Sequence, residues 1–130
     1  MSYYFNTTLK NTSFEDALEK VTAELKKEGF GVLTEIDVKE TLKKKIDVEF
    51  KKYKILGACN PHFAHKALTK EDKIGVLLPC NVVVEENDNG EIEVSAVDPI
   101  ASMQAAENED LRGIATEVQE KMKKIIANLN

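Results

Sequence analysis

Apolar residues in this chain recur at two spacings that take turns: every second residue in some stretches, every third or fourth in others. The first pattern is that of a half-buried strand and the second that of an amphipathic helix. Residues 2–9 alternate, with Tyr3, Phe5 and Thr7 on one side. Phe14, Ala17, Leu18, Val21 and Leu25 then follow at helical spacing. Alternation returns in "FGVLTEIDV" (30–38), helical spacing in Val38, Leu42 and Ile46, and an extended run in "YKILGACN" (53–60). Such switching calls for one sheet with helices packed on it. The predicted order is β-α-β-α-β-α-β-β-α. The expected class is α+β, with a single mixed sheet of about five strands covered by amphipathic helices on at least one face.

Local chemistry punctuates these segments. Ser13 with Asp16, or Thr12 with Glu15, offers a capping box for the first helix, and Gly29 ends it. Asp37 with Glu40 offers a second box. Asn60 is a favoured N-cap residue, and Pro61 suits a first helical position, where its missing N–H costs nothing. The third helix then presents Phe63, Ala64, Ala67 and Leu68 on its apolar side. "GVLLPCNVVVE" (75–85) is apolar on both faces and so predicts an interior strand, with a bulge at Pro79. Asn89-Gly90 predicts a hairpin into "EIEVSAV", with Ile92, Val94 and Ala96 inward. Asp98-Pro99 opens a short helical turn, and a last helix runs from about Asn108, its acids early and its lysines late.

With 130 residues the chain is expected to form a single domain, 1–130. Its net charge of −5 argues against nucleic acid or an anionic membrane as a partner. Residues 39–54 hold seven lysines against three acids, and residues 85–98 hold six acids and no base. The longest apolar run, 74–84, is far short of the ~20 residues a bilayer requires. The first residues lack the basic-then-apolar pattern of an export signal, so a cytoplasmic location is expected, with two reduced thiols rather than a disulfide. If helices fill only one face of the sheet, the apolar surface left over favours a homodimer.

The segment "ILGACNPHFAHKAL" (55–68) gathers most of the chemistry-bearing residues. Small Gly57 and Ala58 leave room for a close approach of backbone or ligand. Cys59 lies one residue before the N-cap, near the positive end of a helix, where a thiol's pKa can fall. Cys80, also followed by asparagine, lies on the next strand. Three chemistries are open. In the first, Gly57, Cys59, Asn60, His62, His65, Cys80 and Asn81 surround a small ligand, with an anion among the candidates because helix N–H groups point there. In the second, Cys59 is a redox or sulfur-transfer nucleophile. In the third, Cys59, His62, His65 and Cys80 hold a metal, although their spacing matches no zinc-binding pattern. Residues 85–96 lack the closing carboxylate of a calcium loop, and no phosphate-binding glycine loop or nucleophile elbow is present. No cofactor is expected.

The pieces "GFGVLTEIDVKETLKKKI", "YKILGACNPHFAHKAL", "IGVLLPCNVVV" and "VSAVDP" occur in order, and over roughly residues 29–99 the chain resembles the domain-of-unknown-function family 302. The resemblance implies a small α+β domain that tends to dimerise. The family's recurring features look like those at Cys59, Asn60, Pro61, Ala64, His65, Leu68, Pro79, Cys80, Asp98 and Pro99. A basic residue often follows the second cysteine position in the family, where this chain has Asn81. No reaction is established for the family. The leading expectation is therefore a non-enzymatic ligand-binding domain centred on Cys59, Asn60, Pro61 and Cys80. A Cys59 thiol enzyme and a dimeric interaction module without a small-molecule site are the alternatives.

Overall fold

The computed structural model describes residues 2–130. Among these, five strands form one sheet in the order β1-β5-β4-β3-β2. They are β1 (Tyr4–Leu9), β2 (Gly31–Asp37), β3 (Tyr53–Cys59), β4 (Cys80–Glu86) and β5 (Ile92–Val97). The helices are α1 (Phe14–Lys27), α2 (Val38–Ile46), α3 (Pro61–Lys70), α4 (Pro99–Met103) and α5 (Arg112–Asn128), with a 3-10 turn at Asp72–Leu77. The fold is α+β, as the pattern predicts.

Every neighbouring pair of strands is antiparallel, so the sheet is not mixed. Parallel neighbours need a connection that crosses from one end of the sheet to the other. Here α2 returns the chain to the end where β2 stopped, setting Asp37 opposite Lys54. Likewise α3 and the 3-10 turn bring β4 back beside the end of β3, with Cys80 opposite Ala58. Both helices are thus insertions in long hairpins. Only α1 leads across the sheet, from β1 at one edge to β2 at the other.

Capping proceeds largely as the sequence implies. The Ser13 hydroxyl accepts the Asp16 N–H at 3.0 Å, and Asp37 accepts the Glu40 N–H at 3.0 Å. Gly29 follows α1 with φ +86°, a conformation that suits glycine. Asp98 accepts the Ile100 N–H at 3.0 Å and the Gln119 side-chain N–H at 3.1 Å, tying α4 to α5. The bulge expected at Pro79 is not there, because β4 starts only at Cys80 and the proline lies outside the ladder. The register shifts instead in β2, where Val32 pairs with Ala58 and Thr34 with Gly57, leaving Leu33 as the extra residue.

One face of the sheet meets α1 and α5. Ala17, Val21 and Leu25 from α1 and Val118, Met122 and Ile125 from α5 pack on Leu56, Val82, Val84, Val94 and Ala96. Full burial of one such large side chain contributes roughly 1.5–3 kcal/mol. A second cluster of Ala67, Ile74, Met103, Leu111 and Ala115 joins α3, the 3-10 turn, α4 and α5. On the opposite face, Ile36, Ile55, Val83, Ser95 and Asn6 line up across all five strands, and none of them is buried.

Candidate functional site

The junction of β3 and α3 forms because a strand runs into Asn60-Pro61. Asn60 holds an extended conformation (φ −104°, ψ 107°) and Pro61 takes the first helical position. Asn60 does not cap α3 with its side chain. Its Nδ2 donates instead to the Glu28 carbonyl at 3.3 Å, at the end of α1. Gly29 permits this approach, since a Cβ there would lie 2.9 Å from Nδ2. Asn60 is therefore a tie between the strand–helix junction and the first helix. It is 9% exposed, and its Oδ1 is buried with no hydrogen-bond partner among the described residues.

Beside this tie lies a cavity of about 350 Å³. Ala58, Cys59 and Asn60 supply its floor; Phe63, Ala64, Ala67 and Leu68 of α3 form one wall. Leu78, Pro79 and Cys80 enter from the start of β4, and Met103, Ile114 and Val118 close the back. Leu33 and Leu68 are 69% and 43% exposed and mark the mouth. Among the described residues, no charged side chain lines the cavity. The small residues Ala64 and Ala67 on the inner side of α3 leave the space between helix and sheet unfilled. The bulge in β2 turns Leu33 to the mouth, a common use of bulges beside sites.

The two sulfurs share this cavity. Both cysteines are free, Cys59 half-buried and Cys80 buried. Cys80 pairs with Ala58, so Cys59 stands one residue away from the opposed position. Burial pushes the Cys80 thiol up to about 11, and the neighbouring Cys59 adds to the rise. A thiol held protonated at neutral pH behaves as a small apolar group rather than a nucleophile.

Of the residues singled out from sequence, the cavity gathers Cys59, Asn60 and Cys80. His62 and His65 are exposed on α3 and do not line it. Asn81 is exposed on the opposite face of the sheet, in a separate pocket with Tyr4, Tyr53 and Val83. Gly57 is buried against its own chain: a Cβ there would come within 2.8 Å of the Pro79 ring and also press on the Thr34 side chain. Its smallness serves packing. The metal arrangement is not assembled either, as no three His, Cys, Asp or Glu side chains among the described residues are placed to hold an ion. Sequence reasoning missed Leu33, Leu78, Met103, Ile114 and Val118. Only the pair of alanines on the apolar side of α3 signalled a gap.

Among the described residues, no helix is long and apolar enough to cross a membrane. No curated protein matches the chain. Among solved structures it is similar to the crystal structure of an uncharacterised conserved DUF302 protein from Bacillus stearothermophilus. The two share 25% identity over all of both chains, with a TM-score of 0.92. The model of the domain of unknown function DUF302 matches residues 5–129, well beyond the central segment that carries the resemblance in sequence. The chain belongs to the DUF302 family.

Proposed function

We propose that this chain acts as a single cytoplasmic domain that binds a small, uncharged, apolar ligand in the cavity beside Cys59, Asn60 and Cys80. The observation that carries the proposal is the cavity itself: about 350 Å³, reached past two exposed leucines and free of charged lining. Its volume lies in the range of ligand pockets. An anion is disfavoured, because it would leave water for a site with no lysine, arginine or histidine on its walls. The protonated Cys80 favours contact over thiol chemistry, and no catalytic step is assigned to either sulfur.

Titration with benzene, followed by amide chemical shifts, tests the proposal, because apolar cavities bind such probes. Ala58, Cys59, Ala64 and Cys80 should shift together and saturate. Shifts confined to the opposite sheet face, or none at all, would refute it.

A second proposal is a homodimer formed through that opposite face. Its support is the row Ile36, Ile55 and Val83, together with polar neighbours that are already paired. The Asn6 side-chain N–H donates to Ser95 at 2.8 Å and to Glu93 at 3.3 Å, and Lys51 meets Glu85 at 2.6 Å. Polar groups satisfied within one face are less costly to bury against another.

A further inference from the structure

Two thiols meet where β3 ends and β4 begins. Cys59 is the last residue of β3 and Cys80 the first of β4, and both are free. Cys80 stands opposite Ala58, so Cys59 is one step from the opposed position. Ladder spacing and one step along the chain put the two Cα atoms roughly 6–7 Å apart, toward the long end of what a disulfide spans. Within a regular strand, neighbouring side chains point to opposite faces. Here both cysteines line the same cavity. The β3–β4 ladder stops at Ala58–Cys80, so Cys59 has no paired residue on that side to hold it flat. The Cys59 thiol is also close enough to act electrostatically on that of Cys80.

We propose that Cys59 and Cys80 form a redox switch that closes the cavity when a small-molecule disulfide oxidises them. Its effect on a ligand rests on the proposed function of the cavity; the bond itself does not. Cys59, half-buried, reacts first, and the buried Cys80 follows. The Cys59 sulfur attacks one sulfur of the small disulfide. A mixed disulfide forms, the incoming S–S bond breaks, and the first small thiol leaves with the Cys59 proton. Cys80 then attacks the Cys59 sulfur, and the second small thiol leaves with the Cys80 proton. Two protein thiols are thereby oxidised by two electrons, and one small disulfide is reduced to two thiols. The new bond holds the sulfurs about 2 Å apart. It draws the β3–α3 junction against the start of β4 and takes both sulfurs out of the lining, so an apolar occupant loses its place.

Incubation of the full chain with oxidised glutathione tests the switch through two readouts, intact mass and the benzene-induced amide shifts. The expected product has lost two hydrogens and carries no glutathione. Trypsin should release from it one fragment that joins residues 55–66 to residues 74–112. Benzene should no longer shift Ala58 and Ala64 in that product, and dithiothreitol should restore both shifts. Glutathione left attached to Cys59 would overturn the switch, because Cys80 is then out of reach. Thiols that stay unmodified, or a disulfide between two chains, would overturn it as well. A Cys59–Cys80 bond with the benzene shifts unchanged would overturn the closure. Absence of benzene shifts in the reduced protein would overturn the cavity proposal, and the closure with it, whatever the mass shows.

Discussion

Cys80 shows how one side chain reports on its surroundings. Its thiol is pushed up to about 11 by burial and then by Cys59, whereas an exposed thiol titrates near 8.5–9. The unfolded chain therefore releases this proton first as the pH rises. The stabilisation is fully present below about pH 9 and is lost as the pH climbs through 11, a change on the order of 3 kcal/mol. Denaturant midpoints for the wild type and Cys80→Ala, compared between pH 8 and 11, should converge at high pH; parallel curves would contradict this burial. Gly57 supplies a second prediction. Gly57→Ala places a methyl group against the Pro79 ring and the Thr34 side chain, and should cost about 1–3 kcal/mol as overpacking does. A melting temperature equal to the wild type's would mean that the junction is looser than described. The sequence disclosed that Gly57 and Ala58 were small but not what pressed on them, because Thr34 and Pro79 lie far off along the chain. Asn60 carries the same lesson. Its type and place promised a helix cap, yet a carbonyl at the end of α1 took the side chain.

At the scale of elements, what could be read in sequence was what local chemistry decides. The N-caps at Ser13 and Asp37, the Asn89-Gly90 hairpin and the inward Ile92, Val94 and Ala96 all depend on residues within a few positions of one another. Strand direction does not. A helix between two strands reads alike whether it crosses the sheet or returns to the same end, so α2 and α3 suggested a mixed sheet where they sit in hairpins. The β2 bulge was invisible for a similar reason, since it depends on how β2 pairs with β3. Helix α3 offers the test at this scale. Its inner face carries Ala64 and Ala67 where larger residues would fill the gap, so Ala64→Leu should occupy part of the cavity. Cavity filling typically adds about 0.5–2 kcal/mol. The variant should melt at a higher temperature and lose the benzene-induced shifts. Unchanged shifts would put the ligand elsewhere.

For the whole molecule, the question is what meets solvent on each side. Helices α1 and α5 cover one face of the sheet, and its other face carries Ile36 at 49% exposure with half-buried Ile55 and Val83. Sedimentation of the wild type should give a dimer, and Val83→Glu, which puts a charge in the middle of that row, should give a monomer with the same melting onset at low concentration. A wild-type monomer at high micromolar concentration would rule out that assembly. The cavity opens past Leu33 and Leu68 at the β2 edge, whereas Val83 lies on the central strand β4, so ligand binding should persist in the Val83→Glu protein. The central claim is that an apolar space exists where β3 gives way to α3. The most direct measurement is a crystal structure of the protein under xenon pressure, since xenon enters dry apolar cavities. A xenon atom bounded by Ala64, Leu78 and Cys80 is the predicted result. Side chains closed over that volume, with no xenon between β3 and α3, would contradict the account.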